Sequence, residues 1–153
     1  MSAERDFQAI DAVLDLLLQI RVGKDFPSAK GLMFSISQET AFASVPTAKF
    51  NIATYVAHAS FWQDIWLAKL KGSPGPSMVL DWQEPQAGSW QQVRDRFLSG
   101  LEEAIVIASN RPFVHAMPDE RSAINTLFQI GLHDSYHMGQ IVLLKRMVKG
   151  GRA

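Results

Sequence analysis

The sequence predicts an all-α domain, most simply a four-helix bundle, and three observations carry that reading. Four stretches repeat apolar residues every three or four positions, the period of one helix face. No stretch shows the convincing apolar–polar alternation of a half-buried strand. The chain of 153 residues, 47% of them hydrophobic, has the size of a single domain spanning 1–153 and can bury a core without a disulfide or a partner.

In chain order, residues 3–20 form the first long helix, because Phe7, Ile10, Leu14, Leu17 and Leu18 fall on one stripe. Gly23, Pro27, Gly31 and Pro46 make residues 22–46 an irregular connection, with a short helical turn around 32–40. Residues 47–71 contain no Gly or Pro and are dense in aromatics, so they form the second long helix, stopped by Gly72-Ser73-Pro74-Gly75-Pro76. Residues 72–88 are a long connection, and Met78, Val79, Leu80 and Trp82 argue that it folds back onto the domain. Ser89 is placed to cap a third long helix reaching 109, with Val93, Phe97, Leu101 and Ile105 at four-residue spacing and Gly100 as a tolerated defect. Pro118-Asp119-Glu120 then opens a fourth, running to 149, with its acids at the start and Lys145, Arg146 and Lys149 at the cation-favouring end. Two long connections leave the order of helices around the bundle open.

Composition removes several functions. The chain has no Cys, so disulfides and thiolate metal sites are excluded. Fifteen Lys and Arg balance fifteen Asp and Glu, which leaves no long-range field to attract a phosphate backbone; no nucleic-acid partner is expected. The polar start Met-Ser-Ala-Glu-Arg-Asp lacks the order of a secretory signal, and no apolar run approaches the about 20 residues of a membrane span, so a cytoplasmic protein with no membrane partner is expected.

The chemistry rests on four histidines. His133 and His137, four apart on the last helix, stack two imidazoles on one face, and His58 takes an inward position on the second helix beside Tyr55, Phe61, Trp62 and Ile65. Each alone is readable as a core histidine bonded to a neighbour. Three together ask for a common compensation, since an unpartnered buried imidazole costs roughly 1–3 kcal/mol. A divalent ion supplies it, and three neutral ligands leave a fourth position open. His115, in the connection before the last helix, reads as a surface residue.

The stretch His133-Asp134-Ser135-Tyr136-His137-Met138-Gly139-Gln140-Ile141-Val142-Leu143-Leu144-Lys145-Arg146 resembles the last-helix signature of the DinB/YfiT-like family of metal-binding four-helix proteins. Residues 52–62, around His58, match that family's second-helix element. The resemblance implies that His58, His133 and His137 hold one divalent ion. Zinc or nickel leads, with iron, manganese and copper also compatible with imidazole. It further implies a homodimer and a small-molecule substrate. Characterised relatives include transferases and an isomerase that use mycothiol, bacillithiol or glutathione, so a thiol-dependent transferase acting on a small electrophile is expected, its sulfur supplied by a low-molecular-weight thiol cosubstrate. A metal-hydroxide hydrolase and a non-enzymatic binding or stress-response protein are the alternatives.

Other metal chemistries fail on residue grounds. A di-iron bundle needs Glu-x-x-His on two helices, and no Glu precedes a His here at that spacing. A zincin needs Glu where this chain has Asp134. A bis-His haem would leave one histidine idle. Around the three ligands, Gln140 is placed to touch a metal-bound water, as a catalytic residue, or to orient a ligand. Tyr55, Trp62 and Trp82 are candidate pocket-lining residues. Asp134 and Tyr136 are expected to project off the metal face toward solvent, and the cluster Lys145, Arg146, Lys149 and Arg152 to serve the helix end. The connection 72–88 is the candidate for setting substrate choice. Because the ligands must be neutral, occupancy should fall as pH drops through about 6.5.

Overall fold

The structure, a computed structural model, describes residues 8–151. It is all-helical: α1 (Ala9–Val22), α2 (Ala29–Phe34), α3 (Gln38–Phe42), α4 (Ile52–Lys71), α5 (Trp90–Ser109) and α6 (Glu120–Gly150), with one 3₁₀ turn at Met78–Leu80. The four long helices are those expected. The part of the first helix placed at residues 3–7, with Phe7, lies outside the described residues.

Boundaries moved where side chains cap the backbone. The connection after α1 holds two short helices instead of one turn, each opened by a serine: Ser28 Oγ accepts from Gly31 N at 3.0 Å and Ser37 Oγ from Thr40 N at 3.1 Å. α4 begins five residues later than the absence of Gly and Pro suggested, because Asn51 Oδ1 accepts from Thr54 N at 2.9 Å and so fixes the first turn there. Gly72, at φ 69°, ends it in the left-handed conformation that side chains resist. Ser89 does not cap α5; its hydroxyl donates to Gln86 O at 2.6 Å, turning the loop end instead. The indole of buried Trp90 ties the helix start down, donating to Ile36 O at 2.8 Å.

α1 and α4 occupy opposite corners, each packed between α5 and α6. This settles the order that the long connections left open. The core between them is built from residues such as Ile10, Leu17, Leu67, Phe97, Leu127 and Ile141, all essentially sealed from solvent. Because α4 and α6 are direct neighbours, inward residues of the two can meet, and this places the histidines.

One core contact corrects the reading of Gly100 as a mere defect. Gln63 on α4 lies across it, and a Cβ on residue 100 would stand 2.1 Å from Gln63 Oε1. The glycine makes room for a polar side chain. In an open helix Gly→Ala stabilises by about 1 kcal/mol. Here Gly100→Ala must expel Gln63 from its buried bonds, so chemical denaturation is expected to show a loss of roughly 2 kcal/mol. A gain in stability would mean that Gln63 is free to move aside.

Candidate metal centre

Three imidazoles converge where α4 faces α6. One helical turn separates His133 from His137, and their Nε2 atoms stand 3.0 Å apart. The ring of His58 lies 5.2 Å from His133 and 4.9 Å from His137 between centroids. One ligand nitrogen from each falls within 4.8 Å of the others. Two nitrogens bound to one ion at 2.0–2.1 Å lie roughly 2.9–3.4 Å apart, so the pair on α6 already has the spacing of ligands on a common ion.

Hydrogen bonds decide which nitrogen each ring presents. His58 Nδ1–H donates to Asp81 Oδ1 at 2.5 Å, which leaves the Nε2 lone pair facing the other two rings. His137 Nδ1–H donates to Gln140 Oε1 at 2.7 Å and likewise frees Nε2. His133 Nδ1 is buried with no partner among the described residues. Two acceptor lone pairs aimed at a third ring need a proton or a cation between them, and this donor set fits a divalent ion. Asp81 also accepts from Trp62 Nε1 at 3.2 Å, so its carboxylate is held by a second donor.

Burial keeps the rings neutral. It is the largest influence lowering His58, against the hydrogen bond and charge of Asp81. His133 falls to about 4, pushed by burial and then by His137 and His58. His137 is lowered by burial, opposed by its bond to Gln140. Protons therefore compete for this site less than for ordinary imidazoles. Metal release is expected to begin below pH 6.5 and to complete toward pH 4, which equilibrium dialysis against buffered metal can follow; half-release at or above 6.5 would contradict it.

Trp82 covers the site. Its ring stacks on His58 at 3.6 Å between centroids and 11° between planes, while Phe50 stacks on its other face at 4.7 Å. The residue sits at φ 59°, a left-handed conformation that a bulky side chain adopts only under constraint from its surroundings. A cleft of about 460 Å³ opens beside it, lined among others by His58, Phe61, Trp82, Glu84 and Arg96. Of the three aromatics expected to line a pocket, Trp82 does so. Tyr55 packs edge-on against Trp82 at 5.5 Å, Trp62 holds Asp81, and neither lines this cleft. The connection 72–88 thus folds onto the bundle through Asp81 and Trp82, whereas Met78, Val79 and Leu80, expected to anchor it, turn outward.

Gln140 takes the orienting role. Its carbonyl accepts from His137 and its amide donates to the Tyr136 hydroxyl at 3.3 Å, so both its polar atoms are engaged and it orients the His137 ring. Asp134 corrects the expectation of exposure: the residue after His133 turns into the core and is fully buried. Gln63 Nε2 donates to its Oδ2 at 2.8 Å and to Phe97 O at 3.2 Å. His115 is half-buried against Phe113, its Nδ1 sealed, and stands outside the cluster. Lys145 Nζ donates to Ser35 Oγ at 2.6 Å, pinning the end of α6; Arg152 lies outside the described residues.

Burial pushes Asp134 up to about 8. The sign follows: above its ordinary value of 3.8 the folded chain keeps a proton that the unfolded chain has released, so stability falls as pH rises from about 4 to about 8. That proton also relieves a shortage, since Asp134 Oδ1 and Gln63 Oε1 are both buried acceptors without a donor among the described residues. Asp134→Asn should lack this slope, whose ceiling is about 1.4 kcal/mol per pH unit. Urea melts of metal-free protein at pH 5 and pH 8 should show the variant gaining on wild type by about 1 kcal/mol or more. Parallel pH profiles would contradict the buried neutral acid.

The bundle and the converging rings define a class: an all-α protein with a three-histidine cluster able to hold a metal ion. Residues 29–141 match the DinB superfamily, and the chain belongs to it. No curated protein and no solved structure matches the chain.

Proposed function

We propose that this protein is a divalent-metal-dependent enzyme that joins a low-molecular-weight thiol to a small electrophile. The observation that carries the reading is the convergence of three neutral imidazoles with no fourth His, Cys, Asp or Glu in the group among the described residues. Three protein ligands leave coordination for a substrate, whereas a structural site closes with four. When bound, the ion would supply Lewis acidity, easing loss of a proton from a thiol or water at that position. Zinc or nickel is the proposed ion.

The chain's own residues set the geometry. Asp81 and Gln140 hold the rings of His58 and His137 in the tautomer that offers Nε2. Trp82 and Phe50 keep water from one face of His58. The neighbouring cleft has room for a small molecule and carries Arg96 and Glu84 at its wall. Since the chain has no Cys, the reacting sulfur belongs to the cosubstrate.

The second reading is a metal-dependent binding protein, favoured by the closed stack of Trp82 on His58. Turnover separates the two. Metal-loaded protein is incubated with glutathione, bacillithiol or mycothiol and an activated aryl halide, and the thioether product is followed. The proposal expects product formation that drops at least a hundredfold in His137→Ala. Metal-dependent retention of a thiol without any product would establish the binding protein instead.

A further inference from the structure

The cleft beside Trp82 is an apolar trough with one charge toward each end. Ala57 and Phe61 of α4, Val93 of α5 and Leu80 of the connection give it hydrocarbon walls. Among the described residues Arg96 is the only Lys or Arg that lines it, and Glu84 the only acid. Their partners on α4 set them apart. Arg96 Nε donates to Asp64 Oδ2 at 3.0 Å, and Asp64 lies six residues past His58, about 9 Å along the helix axis. Glu84 Oε1 accepts from Asn51 Nδ2 at 3.4 Å, and Asn51 lies seven residues before His58, about 10 Å the other way. His58 stands between the two charges.

The guanidinium is bound in a way that leaves an edge of it for a ligand. Arg96 Nε and Nη2 both donate to the single oxygen Oδ2 of Asp64. A guanidinium carries five N–H groups, so this side-on pair leaves Nη1 and the second proton of Nη2, the end-on fork that matches a planar carboxylate. The Arg96 side chain is 50% exposed, so the fork can be reached. Asp64 also holds it still, and a fork already in place loses less freedom on taking a second partner.

We infer, resting on the reading of this cleft as the substrate site, that Arg96 is a specificity-determining residue that takes the carboxylate of a small organic acid whose apolar body lies along Phe61, Leu80 and Val93. Glu84 gives the acid its direction, because a like charge toward the far end turns an anion away. Asp64 cancels the formal charge of Arg96, so recognition rests on two-point geometry more than on a long-range field. An amide of the same shape offers the fork only one acceptor, and an amine offers none, so both are rejected. In a reaction between a thiol and an electrophile, either reactant can carry the carboxylate.

Equilibrium binding tests this without any turnover. Zinc-loaded and metal-free protein are each titrated calorimetrically with two pairs of probes: cinnamate, an aryl acid whose conjugated double bond a thiolate can attack, against cinnamamide, and glutathione against its dimethyl ester. At least one of the two acids should bind wild type and lose about tenfold or more in affinity in Arg96→Gln, with helical circular dichroism unchanged. Its uncharged analogue should bind both proteins weakly and alike. Loss confined to cinnamate assigns the carboxylate to the electrophile, and loss confined to glutathione assigns it to the thiol. Glu84→Gln should leave the affinity for that acid equal or tighter, and a weaker one would remove the directing role. Failure of wild type to bind either acid, affinities untouched by Arg96→Gln, or an acid held only by zinc-loaded protein and indifferent to Arg96 would each overturn the proposal. Protein that binds an acid through Arg96 yet forms no thioether loses the enzyme reading and keeps this one.

Discussion

His137→Ala is expected to abolish tight binding of a divalent ion, together with the thermal stabilisation that the ion confers on wild type. The ring supplies one of three nitrogens and stands 3.0 Å from another, so its removal leaves a two-ligand site. A ligand that binds only the folded state at a hundredfold excess over its Kd adds about 2.7 kcal/mol. For a chain of this size that is roughly 6–10 °C in Tm. Differential scanning calorimetry with zinc or nickel should show this rise in wild type and none in the variant. Equal metal-induced shifts in both would place the ion elsewhere.

Asp81→Asn is expected to weaken metal binding tenfold to a hundredfold while leaving the three ligands in place, the usual cost of losing a partner that orients a ligating histidine. The carboxylate does two things: it fixes the proton on His58 Nδ1, and its charge opposes the burial that lowers the ring. An asparagine retains the shape and one acceptor but not the charge. Calorimetric titration of metal-free protein with zinc should separate the two, since a purely steric role predicts unchanged affinity. Asp81→Ala should cost at least as much. It should also change Trp fluorescence, because Trp62 loses its acceptor and Trp82, the next residue, loses its anchor.

Asp81 shows where sequence reading stops. The helical period was enough to place His58, His133 and His137 on inward faces, because a helix fixes direction over four residues. Their meeting followed once α4 and α6 proved to be neighbours. Asp81 sits in a connection with no period, 23 residues from its partner, and nothing local marks it out. Trp82 was legible as a pocket-lining residue of that connection, but not its stack on His58 or its left-handed backbone. Asp134 misled for a different reason. A charged residue beside a ligand is expected to face water, and only Gln63, admitted by Gly100, makes its burial tolerable. A hydrophobic or charged label cannot show such a paired exception. The serines that cap α2 and α3 went unread, because the glycines and prolines around them suggested an irregular connection with one short turn.

His58, His133 and His137 are expected to hold one divalent ion. Elemental mass spectrometry on untagged protein purified without chelator, beside the variant with all three replaced by alanine, tests it most directly. About one equivalent of a divalent ion is expected per wild-type chain, and little in the variant. Wild-type protein that stays metal-free after incubation with zinc, nickel, iron, manganese and copper would make the three rings core histidines and rule out a metal centre.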